Sequence, residues 1–324
     1  MRPSPTQYDF TLARMPQASG VTDSSLTAQF HGANLSAPGN SLDFSIIVAT
    51  HNDWAALQEF LSSLAQQTIT SSFDVIVVDD GSNDAAPEFI SKWKTQFPLT
   101  IIRQPHAGIS AARNRGTQNS RGSVLVFADA DCRLDRDCLR VLERTINALP
   151  EKHYFQLHIV GDCSSGSVGR AEQLRLMTLQ TYFLRPDGSI RYLNTAGFAV
   201  RRANVQVDAG LFDPVAVRAE DTLLLANLIK RGELPFFVSG AIVQHNVSLS
   251  LVAYLRKAMR SAHLEARTFD IISSAGVKIP VSHRERLSML WSAWKFSQDR
   301  AIGRPAWFVL LARQVLRLIG GFYR

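Results

Sequence analysis

Cysteine is scarce in this chain: Cys132, Cys138 and Cys163 are the only three in 324 residues. An odd number, without the paired spacing of a zinc site, excludes a disulfide framework and fits a reducing compartment. Long apolar runs are also missing. The best stretch, Ala306–Leu311, is soon followed by Arg313 and Arg317, well short of the ~20 apolar residues a membrane-spanning helix needs. The N-terminus lacks the continuous apolar segment of a secretory signal. The expectation is a cytoplasmic protein, soluble or peripheral at the inner face of a membrane. No glycine-rich phosphate loop with a lysine follows the first apolar run, where Thr50-His51-Asn52 stand instead. That argues against a nucleotidyltransferase. No motif for nucleic acid accompanies the basic charge.

What is present is unevenly spread. The net charge is +7, yet residues 250–324 hold 13 Lys and Arg against 4 Asp and Glu, and the preceding part holds 22 against 24. The basic character belongs to the C-terminal stretch. There, helical patterns at 249–269, 282–297 and 305–319 mix Trp307, Phe308, Leu310 and Leu311 with Arg304, Arg313 and Arg317. Such a pattern suits either an anionic membrane surface or an apolar face packed on the main body. Residues 1–41 are rich in Ser, Thr, Pro, Gly, Ala and Gln without a period, and read as a loosely ordered leader.

Between these ends, apolar runs alternate with amphipathic stretches. Strands are expected at Phe44–Ala49, Val75–Val78, Leu99–Ile102 and Val124–Ala128. Helices are expected at Trp54–Gln67, near Pro87–Thr95, at Ile109–Asn119 and near Arg136–Leu149. Continuous apolar strands alternating with helices indicate an α/β fold with a mostly parallel sheet covered on both faces. Past Leu149 the pattern loosens into a strand at Tyr154–Val160, helices at Val168–Phe183 and Ala219–Arg231, and short strands at Phe236–Val238 and Ala241–Val243. In such sheets ligands sit beyond the carboxyl ends of the strands. Those ends carry polar residues: Thr50-His51-Asn52, Asp79-Asp80-Gly81-Ser82 and Asp129-Ala130-Asp131. Two carboxylates at i and i+2 after a buried strand are a natural holder for a hard divalent cation beside a phosphate.

Five segments occur in order: Ser-Ile-Ile-Val-Ala-Thr-His-Asn, Val-Val-Asp-Asp-Gly-Ser-Asn-Asp, Gly-Ile-Ser-Ala-Ala-Arg-Asn-Arg-Gly, Phe-Ala-Asp-Ala-Asp and Ala-Glu-Asp-Thr-Leu-Leu. Together they resemble the inverting nucleotide-sugar glycosyltransferases of family 2, over roughly Asp43 to Arg260. The resemblance implies a GT-A fold, Rossmann-like, over residues 42–248, with 249–324 as a basic helical extension. It implies transfer of a single sugar from a UDP- or GDP-sugar to a hydroxyl of a glycan, lipid-linked saccharide or small molecule. The Gln-x-x-Arg-Trp motif of processive members is absent, which favours one transfer over polymer synthesis.

By the same resemblance, Thr50, Asp79, Asp80, Arg113 and Asp129 face the nucleotide. Asp131 ligates Mg²⁺ or Mn²⁺, with Asp129 alongside and His245 as a further candidate ligand. Asp221 is the general base, needed because the acceptor hydroxyl loses its proton as it attacks. Gly197, Phe198 and Glu220 would border donor sugar and acceptor, although relatives often carry Asn at position 197. Arg256 and Arg260 would reach the diphosphate. The rival reading, an inactive nucleotide-sugar-binding or scaffold subunit of a polysaccharide assembly complex, is disfavoured by retention of Asp80, Asp131 and Asp221.

Overall fold

The computed structural model describes residues 43–322 other than Val215, Val217, Ser248, Ala275 and 277–282. The leader expected over residues 1–41 lies outside the described residues. The described residues form one compact unit.

Its centre is an eight-stranded sheet in the order β3-β2-β1-β4-β7-β6-β8-β5. The strands are β1 (Phe44–Thr50), β2 (Phe73–Asp79), β3 (Leu99–Arg103), β4 (Val124–Asp129), β5 (Cys132–Leu134), β6 (Tyr154–Gly161), β7 (Phe198–Arg201) and β8 (Phe236–His245). The first half, β3-β2-β1-β4, is wholly parallel. Beyond β4 the sheet turns mixed: β7 runs antiparallel to β4 and β6, β8 runs parallel to β6, and β5 closes the edge antiparallel to β8.

Period-two packing explains why the first strands read as unbroken apolar runs. Ile46 and Val48 of β1, Val75 and Val77 of β2, and Val126 of β4 join one buried cluster. The alternate residues Ile47, Ile76, Val78, Leu125 and Phe127 join a second cluster on the opposite face. With both faces covered, the middles of these strands are apolar, and Ser45, buried near the start of β1, donates its hydroxyl to Asp74.

The helices are α1 (Trp54–Leu64), α2 (Ile109–Asn119), α3 (Cys138–Ala148), α4 (Gly166–Phe183), α5 (Glu220–Lys230), α6 (Leu251–Ser274), α7 (His283–Phe296) and α8 (Arg304–Phe322). In α1, Leu57, Phe60, Leu61 and Leu64 form the buried stripe, a helical period. The helix expected near Pro87–Thr95 is a 3-10 helix, Glu88–Thr95. Bracketed by Pro87 and Pro98, that segment is too short to settle into α geometry. The two short strands expected after Phe236 are one, β8. A register shift where Leu157 gives way to His158 on β6 takes up Ser239-Gly240-Ala241, the point at which the apolar pattern breaks.

The C-terminal helices share cores with the rest of the unit. Ala171 and Leu174 of α4 pack with Ala293, Ala306 and Leu310. Ile272 of α6 packs with Leu223 and Ala226 of α5. They are walls of the same body, and this places their inner faces against the strand ends.

Candidate functional site

Register brings the sheet's polar ends into a row. Thr50 is the cross-strand partner of Asp79, and Ala49 that of Asp129. The residues after them shape a cavity of about 810 Å³, lined among others by Thr50, Asp129, Asp131, Glu220, Asp221 and His245. Six candidates from four separate stretches of chain therefore share one hollow.

Arg113, from a further stretch, ties two of them together. It lies on α2, is 2% exposed, and donates from Nη1 to Glu220 at 2.6 Å and from Nη2 to Asp129 at 2.6 Å. Burial opposes its charge, but the two carboxylates outweigh that and hold the guanidinium above its usual range. Its guanidinium also lies 5.5 Å from the ring centre of Phe212. An arginine with both ends engaged by protein carboxylates is first a structural tie, and it fixes the start of α5 against the end of β4.

Asp221 follows Glu220 in the first turn of α5. The residue before the pair, Ala219, has φ 63, a left-handed conformation that non-glycine residues rarely adopt. Asp221 Oδ1 accepts from the backbone N–H of Thr222 at 2.6 Å. Burial, reinforced by the negative charge of Glu220, pushes its carboxyl up to about 7. A carboxylate poised near neutrality is a base matched to an ordinary working pH.

Asp131 and His245 meet because β5 pairs with the end of β8, where Cys132 is opposite His245. His245 Nε2 lies 3.4 Å from Asp131 Oδ2, and its Nδ1 lies 3.8 Å from Glu172. Burial works against the Asp131 charge, yet the hydrogen bond and charge of His245 hold it below the usual carboxylate range. Its other oxygen, Oδ1, is buried without a hydrogen-bond partner, as is Oγ1 of Thr50. Among the described residues no cluster of three His, Cys, Asp or Glu donors is gathered for a metal. An orphaned carboxylate oxygen beside an imidazole nitrogen nonetheless fits a divalent cation whose shell is completed by phosphate oxygens.

Asp79 and Asp80 sit differently. Asp80 is 4% exposed, and its oxygens accept from Gln104 Nε2 at 2.8 Å, Ala107 N at 2.9 Å and Gly108 N at 2.9 Å. Asp79 accepts from Ser82 N at 2.9 Å and pairs with Arg103 at 3.5 Å. Neither is among the residues lining the cavity. Here the carboxylates organise the loops that border it. The turn after them needs glycine, since Gly81 has φ 78 and an added Cβ would stand 2.7 Å from His106 N.

Gly197 and Phe198 are not brought to the cavity either. Phe198 pairs with Phe127 across β7 and β4 and is fully buried, while an added Cβ at Gly197 would meet Ile159, Leu157 and Val243. Their neighbours Asn194, Thr195 and Ala196 line the hollow instead. Arg256 and Arg260 lie exposed on α6, over a shallow depression beside the main cavity. Lys257, between them, reaches both. Its charge helps hold Asp131 down.

The sequence reading did not single out Glu172, Arg175, Tyr254 and Arg286, and it named Arg313 and Arg317 only for the basic C-terminal pattern; all six line the cavity. Glu172 on α4 is buried and bound by Arg175 at 2.9 and 2.5 Å and by Tyr254 Oη at 3.1 Å. Burial opposes its charge, but Arg175 overrides this and holds it far below the usual range. An acid and a base at i and i+3 of one helix were the available signal.

The sequence model of the family described as glycosyl transferase family 2 matches residues 45–206, half of the chain. An uncharacterized glycosyltransferase of Haemophilus influenzae is 39% identical over 101 residues, 31% of this chain and 33% of that one. YfnE, an uncharacterized glycosyltransferase of Bacillus subtilis, is 35% identical over 94 residues, 29% of this chain and 24% of that one. The aligned segment thus spans about a quarter to a third of these relatives' length. Among solved structures, the mannosyltransferase PcManGT of Pyrobaculum calidifontis, in complex with GDP-Man and Mn²⁺, is similar with a TM-score of 0.58 at 16% identity, covering 88% of each chain. GalNAc-T7 with UDP, GalNAc and Mn²⁺ is similar with a TM-score of 0.52 at 17% identity, covering 81% of this chain and 57% of that one. At such identities the likeness speaks for the fold, a GT-A architecture.

Proposed function

This chain belongs to glycosyltransferase family 2, and from that premise we propose that it moves one sugar from a UDP- or GDP-sugar to an acceptor hydroxyl with inversion. The carrying observation is the single cavity in which Asp221, with its raised pKa, shares walls with Asp131 and its orphaned oxygen. The bound GDP-Man and UDP of the similar structures support a nucleotide-sugar donor, and their Mn²⁺ supports a divalent ion.

In this reading the Asp221 carboxylate takes the proton of the acceptor hydroxyl while that oxygen forms its bond to the anomeric carbon. The bond from that carbon to the diphosphate oxygen breaks on the opposite side, and the diphosphate leaves with the electron pair. Asp131 and His245, with Asp129 beside them, would hold Mg²⁺ or Mn²⁺, which supplies charge neutralisation at the leaving diphosphate when bound. Lys257 adds a fixed positive charge on that side. Thr50, with its unpartnered hydroxyl, faces the nucleoside. Asp79 and Asp80 act through the loops they hold.

The test is thermal denaturation with UDP, GDP and other nucleoside diphosphates, with and without Mn²⁺. One base should stabilise the protein by about 3–4 kcal/mol at a few hundred times its Kd, mostly through the metal. Asp131→Asn should remove the metal-dependent part of that stabilisation. No stabilisation by any nucleoside diphosphate would sink the reading.

Among the described residues no helix is long and apolar enough to cross a membrane. Trp291 on α7 and Phe308 on α8 are nevertheless 61% and 59% exposed, within the basic C-terminal stretch. Contact with an anionic membrane surface accounts for both features. The protein should co-sediment with vesicles containing phosphatidylglycerol and not with pure phosphatidylcholine. Replacing Trp291 and Phe308 by Ser should weaken that binding at least tenfold, and equal binding by the variant would remove the proposal.

A further inference from the structure

His245 stands between two carboxylates. Its Nε2 lies 3.4 Å from Asp131 Oδ2, and its Nδ1 lies 3.8 Å from Glu172 Oε1. The two nitrogens of an imidazole point away from each other, so Glu172 sits on the side of the ring turned from Asp131. It is not gathered with Asp131 around one point, in keeping with the lack of a three-donor cluster among the described residues. Its oxygens are also occupied. Oε1 accepts from Arg175 Nη2 at 2.5 Å, and Oε2 accepts from Arg175 Nε at 2.9 Å and from Tyr254 Oη at 3.1 Å. Glu172 is thus placed behind the histidine and not beside it as a further ligand.

Three helices fix that carboxylate. Arg175 follows it by three residues on α4, Tyr254 comes from α6, and the Arg313 guanidinium of α8 lies 5.7 Å from the Tyr254 ring centre. The Glu172 side chain is 5% exposed. Burying an ion pair costs desolvation that an apolar pair of similar volume avoids, so folding alone gives Glu172 and Arg175 no advantage. What an apolar pair could not supply is a negative charge at Nδ1. A carboxylate only accepts, so it favours the ring form with its proton on Nδ1 and a bare lone pair on Nε2. Metal-holding histidines are oriented in this way, by a partner on the far nitrogen.

We propose that Glu172 is a positioning residue: clamped by Arg175 and Tyr254, it holds the His245 ring so that Nε2, beside Asp131, is presented to the divalent cation. This rests on the reading of Asp131 and His245 as the residues that hold that cation. Glu172 then acts on the metal only through His245, and the helices of the C-terminal wall serve the metal side of the cavity through Tyr254.

The test is calorimetric titration of the full chain with the nucleoside diphosphate that stabilises it, with and without Mn²⁺. The wild type is compared with the double variant Glu172→Leu, Arg175→Met, which exchanges the buried pair for apolar residues of similar volume and strands neither charge. The gain in affinity that Mn²⁺ gives the wild type should fall about tenfold or disappear, the scale for loss of a partner behind a metal ligand. Metal-free affinity should stay within twofold. An undiminished Mn²⁺ gain overturns the proposal, and so does a fall in metal-free affinity with the gain intact, because the pair would then shape the cavity as a whole. Should the double variant fail to fold, Glu172→Gln keeps the shape and removes the charge. A threefold or greater loss of the gain supports the role, and no loss overturns it. The ¹⁵N signals of His245 in the Mg²⁺–nucleotide complex, identified as those missing from His245→Asn, give a second readout. They should show the proton on Nδ1, and a proton on Nε2 overturns the role. A wild type that binds the nucleotide without any Mn²⁺ gain overturns the metal assignment of Asp131 and His245, and Glu172 with it. One that binds no nucleoside diphosphate overturns the proposed function itself.

Discussion

Asp221→Asn is expected to keep the metal-dependent nucleotide binding and to lower turnover about 10²–10⁴-fold, the range for removal of a positioned general base. The amide retains the size of the carboxyl and can still accept from the Thr222 N–H that Asp221 engages at 2.6 Å. It cannot take a proton. The pH profile gives an independent check. With the carboxyl pushed up to about 7 by burial and by Glu220, the active carboxylate form is populated only above that value. The wild-type rate should therefore rise tenfold per pH unit below about 7 and level off above it, and the residual rate of the variant should lack that step.

Stability should move the other way. A carboxyl whose folded pKa lies above its unfolded value binds its proton more tightly when folded, so its stabilising contribution is complete below about pH 4 and is lost as pH rises through about 7. At pH 8 the wild type thus carries a buried charge that the amide avoids. Asp221→Asn should be more stable than the wild type by roughly 1–3 kcal/mol there, after allowance for screening, and by nothing measurable near pH 4. Full activity in the variant, or a gain in stability that is the same at both pH values, would remove Asp221 from the role.

The contrast between Asp221 and Asp80 shows where sequence reading reaches and where it stops. Both follow a motif at an element end, and both are acids that local chemistry could satisfy. The strands and their polar ends were legible because two-sided burial leaves an unbroken apolar run that stops where solvent or ligand begins. What Asp80 touches was not legible. Its donors Gln104, Ala107 and Gly108 belong to the loop after β3, and only the folded crossover brings them within 2.9 Å. Phe198 is a similar case. Whether it faced sugar or core depended on its register opposite Phe127, which no pattern in Ala196–Arg202 specifies. β5, three residues long, is too short to give a period, and with it went the reason His245 meets Asp131. The C-terminal wall was hidden for a longer-range reason. Its amphipathic helices fit a membrane surface or a protein face equally well in sequence, and packing of Ala293, Ala306 and Leu310 on α4 settles where their inner sides lie.

Arg113→Met is expected to be the most damaging single substitution outside the reacting groups. The guanidinium is 2% exposed and bridges Glu220 and Asp129 at 2.6 Å each, so removing it strands two carboxylates that its charge had compensated. Breaking a buried ionic network by deleting one partner costs about 3–5 kcal/mol, more than the pair contributes relative to an apolar substitute. Met fills much of the same volume, so the loss measured would be mainly electrostatic and not a cavity effect. Chemical denaturation should therefore show a clearly lower midpoint with an unchanged slope. Adding Glu220→Gln should restore part of the loss, because one stranded charge disappears, and the cycle of single and double variants should report a coupling above 1 kcal/mol. Activity should fall further than stability accounts for. Glu220 precedes Asp221 at the start of a helix entered through the strained Ala219, and releasing Glu220 removes the ionic tie between that turn and the end of β4. A variant that loses less than 1 kcal/mol, or that shows no coupling to Glu220, would mean that the start of α5 is held by packing alone and that Arg113 is free to serve the ligand directly.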